Sequence, residues 1–242
     1  MLSPWHTQRG VTLVELMIAS VIALIALAAL LTAYSATASH STQYLLKAHL
    51  HQQLHSVLHT MVRDIRRTGY WSFDPDLSKA TDNPFQDNVN RLQVQSYPGQ
   101  APDSCILFAY DLDQDGMVGI GRCDAQTCPA HTDSDNVEQF GFRLRDGLIQ
   151  ARYGGDPLRC DSGHWQAVTD AGIAVTRLNF TQHMVCTNLD DADSECEPHA
   201  ARILQRLVEI RLSGYQRVQP DRPLTLSAWV RIRNDQVLGA AE

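Results

Sequence analysis

The chain has 242 residues, enough for one sizeable domain or a domain with an appendage. Acidic residues outnumber basic ones by 27 to 20, the formal charge is −7, and Lys47 and Lys79 are the only lysines. That balance excludes the basic field needed for non-specific nucleic-acid binding, so no direct nucleic-acid partner is expected.

The first ten residues, MLSPWHTQRG, are short, polar and positively tipped by Arg9. From Val11 to Tyr34 the only ionisable groups are Glu15 and the tyrosine itself. As helix, these residues would span about 36 Å, enough to cross a bilayer. Three readings compete. A secretory signal peptide would be cut near Ala36-Thr37-Ala38, but the apolar run is longer than the usual core of such signals and carries a carboxylate. A plain anchor oriented by Arg9 leaves Glu15 unexplained. The third reading accounts for it. A carboxylate inside a bilayer costs roughly 2.5–3.5 kcal/mol and calls for a partner. Cleavage after Gly10 would free the α-amine of Val11, which could pair with Glu15 of a neighbouring helix. Cleavage would then switch assembly on.

The run Gly10-Val11-Thr12-Leu13-Val14-Glu15, with a basic leader before it and an apolar stretch after it, resembles the class III signal of type IV prepilins and pseudopilins. Val11 stands where that family more often has phenylalanine. The resemblance implies a prepilin peptidase that cuts after Gly10 and N-methylates Val11, with Thr12 and Glu15 serving assembly.

The helical pattern continues. Leu46, Leu50, Leu54, Val57, Leu58, Met61, Val62 and Ile65 make one apolar stripe at three- and four-residue steps. No proline interrupts residues 11–69, and Gly69 sits where a helix-capping glycine is expected. The spacing predicts one helix over 11–69, about 85 Å long. Its first part, 11–34, is the transmembrane segment, and its second part is amphipathic. Arg63, Arg66 and Arg67 crowd the last turns, where they suit the helix dipole better than they suit a DNA or lipid contact. His51, His55 and His59 share one face, with His49 near it. They read as a polar face rather than a metal chelate, since no third type of ligand accompanies them.

After Trp71 the composition changes. Residues 74–102 are rich in Pro, Asp and Asn and read as loop with one short strand near Leu92–Tyr97. Strand-like runs follow at Cys105–Tyr110, Phe140–Arg145, Leu148–Tyr153, Val175–Phe180, Leu207–Tyr215 and Leu224–Ile232. Asp146-Gly147 marks a two-residue hairpin, Gly154-Gly155-Asp156 a further turn, and Pro220 with Pro223 suggests a wider hairpin. The fold class is α+β: a long N-terminal helix packed on an antiparallel β-sheet domain, as in type IV pilins. The expected organisation is a leader over 1–10, the long helix over 11–69 and a β-rich globular domain over 70–242.

Three further stretches narrow the resemblance. Arg63-Asp64-Ile65-Arg66-Arg67-Thr68-Gly69-Tyr70-Trp71, Cys105–Asp111 and Phe140–Gly147 look like PilW-type minor pilins. That resemblance implies an inner-membrane subunit with a periplasmic domain. It would join other minor pilins, the major pilin and the assembly machinery to prime the pilus, sit at its tip, and support twitching motility and adhesion. The alternatives are a minor pseudopilin of a type II secretion system and a membrane-anchored calcium-dependent adhesin.

Asp111-Leu112-Asp113-Gln114-Asp115-Gly116 matches the first half of a calcium loop, with carboxylates at alternate positions before a turn glycine. Arg122 stands where an EF-hand needs a bidentate glutamate, so only a partial site based on Asp111, Asp113 and Asp115 is open, with Asp124 or carbonyls completing it. The competing reading is a solvated turn. Six cysteines, Cys105, Cys123, Cys128, Cys160, Cys186 and Cys196, point to an oxidising compartment and up to three disulfides with fifteen connectivities. Zinc would want repeated close pairs, and only Cys123 and Cys128 come close. Thr187 to Glu197, tied by Cys186 and Cys196, is an acidic loop with Asp190, Asp191, Asp193, Glu195 and Glu197, which reads as solvated or as a partner surface. No catalytic or nucleotide-binding motif is present, and no enzymatic activity is expected.

Overall fold

The computed structural model describes residues 10–72, 82–119, 137–189, 196 and 200–238. Two units divide the chain, Met1–Ala48 and His49–Glu242. Helix α1 (Leu13–Arg66) contributes to both. Thr12 starts it: the Thr12 hydroxyl accepts from the Glu15 amide at 3.2 Å and its carbonyl from the Leu16 amide at 3.1 Å. Thr12-x-x-Glu15 is therefore the threonine–glutamate spacing of a capping box. Past Arg66 the chain turns, and Gly69 takes the left-handed conformation at φ +71°.

The second unit holds two antiparallel sheets. The first is a meander of β1 (Gln93–Gln95), β2 (Cys105–Ala109), β3 (Gln139–Arg145), β4 (Leu148–Gly154) and β5 (His164–Ala167). The second runs β6 (Ile173–Asn188), β7 (Arg202–Gln216), β8 (Gln219–Arg231), with β9 (Gln236–Leu238) paired to the start of β7. One core joins helix and sheets. Leu50, Leu54, Val57, Leu58, Met61 and Ile65 of α1 are buried against Ile106, Phe108 and Phe142 of the first sheet and Phe180, Val208, Ile210 and Val230 of the second. The apolar stripe thus faces inward over its last five turns, and period-two alternation in β7 buries Val208, Ile210 and Leu212 while exposing Arg211. Rings of Tyr110 and Phe140 stack at 4.2 Å beside Phe108 and Phe142.

The Asp146-Gly147 hairpin forms as expected. Both residues have positive φ, 53° and 73°, and Arg145 pairs with Leu148 across the turn. The second hairpin differs from expectation. Gln216 pairs with Gln219, so the turn is tight, and Pro220 and Pro223 lie inside β8. They fit there because β8 is an edge strand paired to β7 alone, and the register shifts beside them between Gly214 and Gln216. β5, β9 and a 3₁₀ turn at Pro84–Gln86 are too short to carry a periodic signal in the sequence.

Candidate functional site

The first candidate is the start of α1. Gly10 and Val11 are exposed and precede the helix, and a side chain added at Gly10 would meet nothing within 4 Å. Glu15 lies in the first turn, where the helix dipole favours a carboxylate. The segment after it is apolar all round and carries one helical stretch long and apolar enough to cross a membrane. Its hydroxyls are satisfied within the helix: Ser20 donates to Met17, Thr32 to Ala29 and Ser35 to Thr32.

The second candidate is the acidic loop after β2. Asp111 is buried, accepting from the Ser72 amide at 2.9 Å and the Gln114 amide at 2.7 Å. Asp113 accepts from the Asp115 amide and Asp115 from the Met117 amide, so the loop curls around its own carboxylates. Gln114 and Gly116 permit the curl with φ of 69° and 77°. Glu138, at the entry to β3, completes the group. One oxygen each from Asp111, Asp113, Asp115 and Glu138 falls within 4.8 Å of the others. All four donors are hard oxygens, the chemistry of calcium rather than of zinc or copper. Sequence reasoning had no means to find Glu138, which is 23 residues beyond Asp115 and belongs to no motif.

Glu138 is fully buried, and that burial pushes its carboxyl up to about 7 from 4.5. The Gly119 and Leu112 amides, each donating at 2.7 Å, hold it down in part, and the Asp113 charge raises it. A raised folded-state value means that the folded domain favours the protonated acid. This contribution to stability is complete below 4.5 and is lost as pH rises through about 7. In a chelator-containing buffer, thermal melting of the full chain is expected to show a rising midpoint from about pH 8 to about pH 5, and Glu138→Gln is expected to flatten that rise. An unchanged pH profile in the variant would remove Glu138 as its source.

The remaining sequence candidates separate. Cys105 is bonded to Cys160, and Cys186 to Cys196. Cys123, Cys128, Arg122 and Asp124 lie outside the described residues, as do Arg9 and the acidic residues of the 186–196 loop. The rings of His51 and His55 stack at 5.9 Å, and His49 shares a 3.0 Å hydrogen bond with Gln216. Arg63 pairs with Asp64 at 3.2 Å, and Arg67 stands over the Tyr110 ring at 5.8 Å. The helix-end carbonyls are met instead by the Arg233 amide and the Asn234 side chain.

An apolar helix behind a capped glutamate, running on into the core of an antiparallel domain, defines a pilin-like protein. The chain belongs to the family of Prepilin peptidase-dependent protein B, whose family model matches residues 43–232. The Prokaryotic N-terminal methylation motif matches residues 5–31. The two descriptions name dependence on a prepilin peptidase and N-terminal methylation, and the apolar helix is long enough to anchor the chain in a membrane. The chain is also 25% identical over 114 residues to an "Uncharacterized protein" of Haemophilus influenzae, covering 45% of this chain. It spans about half, 47%, of that relative's length. No solved structure matches.

Proposed function

We propose that this chain is a minor pilin of the PilW type: cut after Gly10, methylated at Val11, and packed into the tip of a type IV pilus. There it primes assembly with other minor pilins and supports twitching motility and adhesion. The observation that carries the reading is Glu15, the single charged side chain of the 11–34 run, held in the first helical turn five residues past Gly10. The experiment is the mass of the N-terminal peptide from membranes of the native host. A chain beginning at methylated Val11 supports the reading. One beginning near Ser39 would mean a cleaved signal peptide and end it. Loss of twitching in a deletion strain favours the pilus, whereas loss of protein secretion alone would assign the chain to a secretion system.

A second reading, calcium binding at the displayed domain, is favoured by Glu138 joining the three aspartates. Asp111, Asp113, Asp115 and Glu138 would supply the oxygens, and the ion would offset the charge repulsion that they create. Millimolar calcium is then expected to raise the melting midpoint of the full chain by several degrees, on the order of one to two kcal/mol by mass action. Asp113→Ala should abolish the rise. A midpoint insensitive to calcium would reduce the loop to a solvated turn.

A further inference from the structure

The segment that follows β8 is stapled between α1 and β7. The Arg233 amide donates to the Arg66 carbonyl at 3.2 Å, and the Ile232 amide to the Arg206 carbonyl at 3.0 Å. The Asn234 side chain donates to the Arg67 and Thr68 carbonyls, each at 3.1 Å. Ile232 is fully buried, so period-two alternation turns Arg231 and Arg233 outward on either side of it. Arg66, in the last turn of α1, is exposed as they are. These three arginines line one open cleft of about 470 Å³, and no acidic or apolar residue joins them there among the described residues.

Backbone bonds therefore hold the three positions, and the guanidinium groups are not spent on capping the helix end. Arg66 and Arg233 make no ion pair among the described residues. Arg231 has one, to Asp235 at 3.7 Å, and its side chain is still 61% exposed. That carboxylate also answers the buried Arg206 charge and accepts from Gln205. One shared carboxylate thus stands against four arginines. In a chain of net charge −7 this is a local excess of positive charge, and a cleft lined by one sign concentrates its field.

We propose that this cleft binds a phosphate monoester or inorganic phosphate. The charge count decides between anions. A carboxylate carries one charge and is saturated by a single guanidinium fork, which would leave the other arginines unanswered. A phosphodiester also carries one charge per group. A monoester carries nearly two, and its three terminal oxygens can each face a different guanidinium. With no apolar wall among the described lining residues, the charged group itself is what is recognised. The proposal goes beyond the assembly reading and does not depend on it.

The test titrates inorganic phosphate against the full chain in maltoside micelles, which contain no phosphorus, and follows the phosphate signal by phosphorus NMR. Saturable broadening is expected. Arg66→Gln and Arg233→Gln should each weaken binding by about tenfold or more, since each removes charge-assisted hydrogen bonds. Both side chains are exposed, so the melting midpoint should stay where it was. Arg177→Gln, an exposed arginine on β6, should leave the affinity unchanged. No saturable broadening, native affinity in the Arg66 and Arg233 variants, or an equal loss in the Arg177 variant would overturn the proposal. Acetate or duplex DNA that displaces phosphate at equal phosphate or carboxylate concentration would overturn the monoester assignment. The source is read by flotation of the nanodisc-embedded chain with phosphatidylcholine vesicles, with and without phosphatidic acid. Capture that follows phosphatidic acid and needs Arg66 supports the site as a lipid-headgroup site, and phosphate binding without capture supports it as a site for soluble phosphates.

Discussion

Glu15→Ala is expected to leave cleavage after Gly10 intact and to remove the subunit from sheared fibres. The reason lies in the division of labour at the helix start. Thr12 caps the helix through the backbone amide of Glu15, which the substitution keeps. The helix therefore begins where it did, and the peptidase meets the same exposed Gly10-Val11 segment. What disappears is the carboxylate, the one side chain in the run able to answer a new α-amine in an apolar bundle. An unpaired charge at such a place costs roughly 2.5–3.5 kcal/mol, enough to exclude a subunit from a fibre. Glu15→Gln, which keeps the shape and loses the charge, should fail in the same way. Immunoblots of sheared fibres, with the N-terminal mass read on the membrane pool, separate processing from incorporation. Incorporation of the alanine variant at the normal level would refute the pairing.

The second large effect is expected from the Cys105–Cys160 bridge. It closes 55 residues, and chain entropy alone assigns such a loop about 4 kcal/mol. Both cysteines are buried, packed with Leu107, Leu158 and partly buried Trp165, so removal also loosens a small satellite core. Arg143 lies against that core, donating to the Cys160 carbonyl and standing over the Trp165 ring at 4.2 Å. Replacing both cysteines by alanine should lower the melting midpoint of the full chain by about 10 °C. The Cys186–Cys196 bridge closes ten residues and should cost about 3 kcal/mol by the same rule. If its removal proves the more damaging, loop entropy is not what these bridges contribute.

Glu138 and the disulfides show where reading along the chain stops. Asp111, Asp113 and Asp115 announce themselves because their spacing is local, set by one turn of chain. Glu138 joins them only because β3 pairs antiparallel to β2, with Ala109 opposite Gln139. That register depends on the burial of Phe108, Phe140 and Phe142 together, not on anything near Glu138 in sequence. The prolines of β8 teach the converse. Read locally they suggested a wide turn, and the edge position of the strand accommodates them.

The order of polarity along the chain was enough to determine the apolar run with its single carboxylate, the stripe on the second half of α1, and the Asp146-Gly147 hairpin. Each is a pattern of period two or 3.6, or a dipeptide, and its physics acts within a few residues. Only the tertiary structure decided which cysteines meet among the described residues, how the strands divide into two sheets, and that Glu138 faces the aspartates. It alone brought Arg206 to within 2.9 Å of the Asn234 carbonyl. Those features arise when distant segments bury apolar surface together, and the polar groups carried along are placed by that packing rather than by their neighbours in the chain.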